Sequence, residues 1–376
     1  MMSEATNLGQ KLPWNYKRYL FALIIFSFGC SKQLISNYYL PFVYKPISFL
    51  LRAISGKLDF ALGEWAYLII CISLIISLIN VVRKIHAPFI SRTYWNLIFV
   101  KILNGIVKLY IVFQLFWGLN YQKQSPANDF QLKVPGIYTE SQMDSLSLQL
   151  IQQMNQTRAS IRDSTIEASR FNLILEQSQQ QYAQVSKQYP FLEYHQPSLK
   201  KSAFPAWGDY LGYTAFYQPF TGEAIIRGDL PVLTLPFTIC HEMAHQLGYA
   251  SETEANFIAF VIGTESKDPL FQYAAQLQLF TYAQQAQLWS IAKRGDSLQF
   301  QKVITRNKQL ISPIVLADRK QIRDFFTRKQ DLQIPGSMQL YNQFLKWNKQ
   351  ANGVESYNDV LLWALAYTHK KILRPN

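Results

Sequence analysis

Cysteine, histidine and acidic residues are all scarce in this chain. Its 376 residues include three cysteines, Cys30, Cys71 and Cys240. None stands at metal-ligand spacing from another, which argues against a disulfide framework and a Cys-built metal site. Asp and Glu number 24 against 37 Lys and Arg, a net charge of +13. The imbalance is local. Residues 1–118 carry 12 basic against 3 acidic residues, and the remaining 258 carry 25 against 21. A basic excess confined to the most apolar third marks membrane topology and not a nucleic-acid surface. No internal repeat is visible, and 49% apolar residues exclude a disordered chain.

Long apolar runs are what the N-terminal third does have. Trp65 to Val82 is 18 residues without a charge, about the minimum for a helix crossing a bilayer. Trp95 to Trp117 is a second run with an aromatic at each end, as membrane interfaces favour. Tyr19 to Cys30 is a shorter third, extended to a span over about 17–35 if it continues toward Ile35. A lipidated cysteine at Gly29-Cys30 is the rival reading of that run. The expectation is three transmembrane helices, about 17–35, 65–82 and 95–117, in a membrane region 1–118. Lys11, Lys17 and Arg18 in the tail, and Arg83, Lys84 and Arg92 in the second connection, place both on the cytoplasmic side. Residues 119–376 then form an extracytoplasmic domain of a multi-pass inner-membrane protein. Within Trp95–Trp117 Lys101, Asn104 and Lys108 share a helix face, either as a polar seam toward other helices or with the lysines reaching to the interface.

The domain after 118 reads as water-soluble. Thr139 and Gln142 form a capping-box pattern, and helices run on to about Tyr189. Residues 200–235 are rich in Gly, Pro and aromatics, with strand-like pieces at Tyr213–Tyr217 and Ala224–Ile226. From Pro236 the chain is again helical. There lies His241-Glu242-Met243-Ala244-His245. With 5 His and 12 Glu, two His and the Glu meet at this spacing about 0.002 times by chance. Residues i and i+4 face one side of a helix, so both imidazoles can hold one zinc ion, with Glu242 beside it as general base. Gly248 suits a helix end, and Ser251 suits the cap of a second helix carrying Glu252 and Glu254. Either carboxylate supplies the third ligand that a catalytic zinc requires. His195 and His369 are expected at the surface, Cys240 in the core, and Glu223 in a structural role.

Glu252-x-x-x-Asn256 resembles the Glu-x-x-x-Asp element of thermolysin-like and CAAX-protease-like zinc peptidases. The resemblance implies Glu252 as ligand and Asn256 as the group that orients a ligand histidine from behind. Asn in place of Asp, and only six residues between His245 and Glu252, depart from that pattern. Gly212-Tyr213-x-Ala-Phe-Tyr-x-Pro219, Leu235-Pro236-Phe-Thr-x-Cys-His-Glu-Met-Ala-His-Gln-Leu-Gly and Trp117-Gly-Leu-Asn-Tyr121 together resemble a bacterial membrane family, domain of unknown function 3810. It implies a membrane-bound, zinc-peptidase-like protein. The expected fold is mainly α, with transmembrane helices followed by an α+β zincin-like, gluzincin-type domain and a small edge-strand region. Its edge strand would pair with an extended substrate, and Tyr213 or Tyr217 would serve the oxyanion or simply pack. The expected partners are the bilayer and a peptide or protein substrate. Two rivals remain: a zinc amidase acting on lipid or cell-wall amides, and a non-catalytic binding or assembly module with structural zinc. A transporter ranks last.

Overall fold

The computed structural model describes residues 15–85, 92–337, 339, 343 and 357–373. It is mainly helical with one small mixed sheet. Tail residue Lys11 and residues 86–91 of the second connection lie outside the described residues.

Helix α1 (Tyr16–Phe28) stops at Gly29. Ser31 then accepts a hydrogen bond from Leu34 N and starts α2 (Lys32–Leu34), so the chain turns by 96°. The first apolar run therefore does not continue straight over 17–35: a serine that caps a new helix interrupts it. From α2 the helix goes on through a π-helical stretch, Ile35–Tyr44, into α3 (Lys45–Ser55). Pro41 lies inside the π-helical stretch. Proline has no N–H for the regular ladder, and a locally widened helix accommodates that loss. This arm is inside-out. In α3 Ser48, Arg52 and Ser55 are buried, whereas Phe49, Leu50 and Ile54 are exposed.

Helices α4 (Leu62–Ile85) and α5 (Arg92–Phe116) contain the two stretches long and apolar enough to cross a membrane, Leu62–Asn80 and Trp95–Phe116. The bent pair of α1 with the arm makes a third if it counts as one span. Only 11% and 6% of the two stretches is buried, so their side chains meet little protein. Asn104 of the polar seam faces α1, where its Oδ1 accepts from Tyr19 Oη at 3.2 Å; Lys101 and Lys108 are exposed.

A short turn, α6 (Pro126–Asp129), leads into α7 (Glu140–Ser160), which opens with the full Thr139–Gln142 capping box. Helices α8 (Asp163–Ala168) and α9 (Phe171–Val185) follow. The sheet is β1 (Leu199–Lys201), β3 (Glu223–Ile226) and β2 (Ala215–Gln218) in that spatial order. β1 pairs parallel and β2 antiparallel with β3, so β2 is an edge. Helix α10 (Pro205–Leu211) sits in the β1–β2 connection. Then come α11 (Leu235–Gln246), α12 (Glu252–Glu265), α13 (Pro269–Lys293), α14 (Ser297–Leu310), α15 (Pro313–Gln330) and α16 (Tyr357–Leu373). The main core packs α11 and α12 among α7, α9, α13 and α16.

Two carboxylates fasten α4 to the sheet. Glu223 of β3 accepts from Leu62 N at 2.9 Å and Gly63 N at 2.6 Å, satisfying donors that a helix start leaves unpaired. Glu64 accepts from Ala203 N at 2.7 Å and from Ser202 Oγ. The structural role expected of Glu223 is thus the N-terminal cap of α4.

Candidate metal centre

Pro236 stands in the first turn of α11, where its missing N–H costs nothing. Ten of the twelve residues of this helix are buried, Glu242 and His245 among them. Its end explains why so short a link suffices before α12. Gly248 N donates to His245 O and Tyr249 N to Ala244 O, the paired bonds of a left-handed helix stop. Gly248 has φ +90, and a Cβ there would lie 2.8 Å from the Tyr44 ring, so only glycine fits. The chain reverses at once, and α12 begins at Glu252 with Ser251 as an extended cap residue whose side chain makes no capping bond.

The reversal brings three side chains together. Donor atoms of His241, His245 and Glu252 lie within 4.8 Å of one another. His241 Nε2 is 3.2 Å and His245 Nε2 3.8 Å from the Glu252 carboxylate. The two Nδ1 atoms are engaged from behind. His241 Nδ1 is 2.9 Å from Asn256 Oδ1, and His245 Nδ1 is 2.6 Å from the Tyr249 carbonyl. Both Nε2 atoms are thereby left facing the shared space. Asn256, expected behind a ligand histidine, stands there. Its amide oxygen accepts as an aspartate would, without the charge.

Glu254 goes elsewhere. Its carboxylate accepts from the Ser251 backbone, as the third helical residue of a capping box does, and interacts electrostatically with Lys123 and Asp129. Burial pushes its pKa up to about 7. The alternative carboxylate thus turns to a buried pocket where Lys123 Nζ sits 3.3 Å above the Tyr249 ring.

Electrostatics within the cluster follow burial. Glu242 is pushed up to about 8, first by desolvation, and its Oε2 is buried with no hydrogen-bond partner. His245 is lowered to about 4 by burial and then by neighbouring His241. For His241 burial opposes the charged form, but the Glu252 and Glu242 carboxylates and Asn256 outweigh it and raise its pKa. Two imidazoles, a carboxylate and an unpartnered buried acid form a donor set that fits a divalent cation of the zinc type.

The cluster opens on a cavity of about 1710 Å3. Tyr213 and Tyr217 both line it. Burial raises Tyr213 to about 12 and also raises Tyr217, whose hydroxyl accepts from Tyr44 Oη at 3.3 Å. Tyr217 packs on Trp117 at 4.6 Å between ring centroids, and the Trp117 and His245 rings meet in a T-shaped contact at 5.9 Å. Ala215, Phe216 and Tyr217 put the edge strand β2 along the cavity wall. His195 pairs at 3.0 Å with Glu193 at the surface, His369 is exposed, and Cys240 is buried.

Several contributors escaped the sequence reading. Tyr44 Oη donates to the carbonyls of His245 at 3.1 Å and Gln246 at 3.3 Å, and Ser48 Oγ donates to the latter at 3.1 Å. These cap the carbonyl end of α11 from the arm, about 200 residues upstream in sequence. Gln246 ties the same end to the sheet, donating to Ser198 O at 2.9 Å and Gly222 O at 2.7 Å. Gln246 lay within the quoted Leu235–Gly248 stretch, and the Trp117–Tyr121 run, whose Trp117 ring packs on Tyr44, was the signal near the arm.

No curated protein and no solved structure matches the chain. A family described as "Protein of unknown function (DUF3810)" matches residues 39–365, from the arm to about the middle of α16, and the chain therefore belongs to that family.

Proposed function

We propose that the chain is a membrane-anchored, zinc-dependent hydrolase, acting as a peptidase. The observation that carries the reading is the meeting of His241 Nε2, His245 Nε2 and Glu252 beside Glu242, at the wall of a cavity large enough for a substrate. These three side chains would hold zinc, which when bound supplies a Lewis acid for the scissile carbonyl and a lowered pKa for water. Glu242 takes the proton from the attacking water and delivers it to the leaving nitrogen, while water's oxygen joins the carbonyl carbon as the C–N bond breaks. Burial raises the Glu242 pKa, and the charge of a bound zinc would lower it toward the range in which a carboxylate can take a proton near neutrality. Asn256 and the Tyr249 carbonyl hold the imidazole tautomers. The free edge of β2 is available to an extended peptide backbone, and Tyr213 lines the same space, whereas the Tyr217 hydroxyl is turned away to Tyr44 Oη. An edge strand beside the His-Glu-x-x-His helix, with a carboxylate on the next helix, supports a gluzincin-type reading of the fold.

The anchor is read from α1, α4 and α5. Arg18 and Tyr19 of α1 reach Asn104, and a Cβ at Gly29 would touch Leu119, so α1 and α5 run the same way. With the tail cytoplasmic, as the basic residues favour, the metal centre faces outward across the inner membrane.

Elemental analysis of the full chain in detergent tests this, with His245→Ala, Glu252→Ala and Glu242→Gln alongside. About one zinc per wild-type chain, lost in the first two variants, is expected. Glu242→Gln should keep the metal and lower peptide turnover by about 100-fold to 10,000-fold. Failure of the wild-type chain to bind zinc overturns the reading, and undiminished turnover in Glu242→Gln overturns the base. Metal without turnover on any amide substrate would make the centre structural.

A further inference from the structure

The cavity does not end at the metal centre. It continues between α4 and α5, lined by Leu68, Ile70 and Cys71 on one side and Ile106, Leu109 and Phe113 on the other. Cys71 is nine residues into α4, and Ile106 ten residues from the end of α5. At 1.5 Å per residue the cavity follows both helices for about 13–15 Å. That is roughly half of a hydrocarbon core about 30 Å thick, the depth of one leaflet. Among the described residues its only acidic or basic linings are Glu242, Glu252 and the two histidines, all at the metal end. The arm sets the level of the cleft: Phe49, Leu50 and Ile54 are exposed on a helix whose polar side faces the protein. Such a helix rests on a bilayer with its apolar face down.

We infer that the substrate is a lipid-anchored amide or peptide: its acyl chain enters from the bilayer between α4 and α5 while the scissile amide lies at the His241–His245–Glu252 cluster. This rests on the hydrolase reading above and names its substrate class. Three observations select the acyl chain. The slot is one leaflet deep, as a lipid chain is long. The only polar groups on its deep walls are the Tyr110 hydroxyl and the Cys71 thiol, so an extended peptide there would leave most of its N–H and C=O groups unsatisfied. A spanning helix satisfies its own backbone but needs about 30 Å of length and about 10–12 Å of width, and it presents no extended bond to β2. Water still adds across the amide C–N bond, and the apolar product leaves by the same lateral route.

Photolabelling tests occupancy without turnover. The full-length Glu242→Gln protein in phosphatidylcholine vesicles is irradiated with hexadecanoyl-pentaalanine amide carrying a diazirine in its acyl chain, and adducts are mapped by mass spectrometry. Adducts are expected on Leu68–Cys71 and Ile106–Phe113. Ile106→Trp and Leu109→Trp should each reduce them about tenfold, the loss of roughly two buried methylene groups. Ile102→Trp, on an exposed position outside the cavity, should not. Unlabelled acyl peptide should compete better than pentaalanine amide, and better than the same peptide fused to a spanning helix. Label spread evenly over exposed positions such as Ile76 and Leu78, or stronger competition by either of the other peptides, overturns the inference. The map is read without zinc or turnover. A metal-free protein with the expected adducts would sink the hydrolase reading and leave the acyl slot, whereas cleavage of free peptides with scattered label would do the reverse.

Discussion

Helices α3 and α7 are built on opposite plans. α7 buries Met143, Leu146, Leu150, Ile151 and Met154 and exposes Gln149, Gln152 and Gln156. α3 buries Ser48, Arg52 and Ser55 and exposes Phe49, Leu50 and Ile54. A helix in water turns its apolar side inward because hydration of that side is unfavourable. One that turns it outward has a different medium on that side. The same holds for α4, where Ile69, Ile72, Leu74, Ile75 and Leu78 are exposed on every face. The polar groups buried under α3 are not idle: Ser48 caps the metal-motif helix, and Ser55 shares a 2.7 Å bond with Ser198.

The contrast is broken most strongly by putting charge on α4. Ile75→Arg should cost about 3.5 kcal/mol of membrane insertion, whereas Leu298→Arg, equally exposed on α14, should cost nothing. Carbonate extraction and steady-state level read both; equal tolerance would place α4 in water. A somewhat smaller effect sharpens the pair of helices. Leu150→Ala should destabilise by about 3 kcal/mol through a core cavity. Leu50→Ala should shift stability by less than about 0.5 kcal/mol and instead weaken binding of the arm to vesicles. If Leu50→Ala unfolds the protein, its exposed face is a packed one.

What was legible in the sequence had short-range causes. His241 and His245 meet because they are four apart on one helix, and Thr139 with Gln142 closes a box within one turn. β2 and β3 were visible as aromatic and β-branched pieces. β1 was not: three residues with two lysines become a strand only by pairing with β3, whose sequence is some 25 residues away. The break after α1 was left open, because the apolar run ends at Cys30 and one capping serine weighs little in hydropathy. The choice of Glu252 over Glu254 as the group facing the histidines depends on a glycine stop and a reversal, which set the phase of α12. Tyr44 carried no local signal at all, since its importance is defined by the carbonyls it meets across the fold.

The smallest expected effect tests whether that long-range contact matters to the metal centre. Tyr44→Phe keeps the ring that packs against Gly248 and Trp117 and removes the hydroxyl bonded to the His245 and Gln246 carbonyls. Ser48 still serves Gln246, and Gly248 N still serves His245. Neither carbonyl is orphaned, and the loss should be near one ordinary hydrogen bond, about 1 kcal/mol. His245 would be held less firmly, and zinc affinity by chelator competition should fall about fivefold, the equivalent of that energy. Ser48→Ala should behave alike but more weakly, because Ser48 bonds the Gln246 carbonyl and not that of His245. Unchanged affinity in Tyr44→Phe with lowered thermal stability would make the arm a brace for the fold alone. A fall in affinity without a change in stability would make it a support of the proposed metal centre, linking α3 to His245 through the hydroxyl of Tyr44.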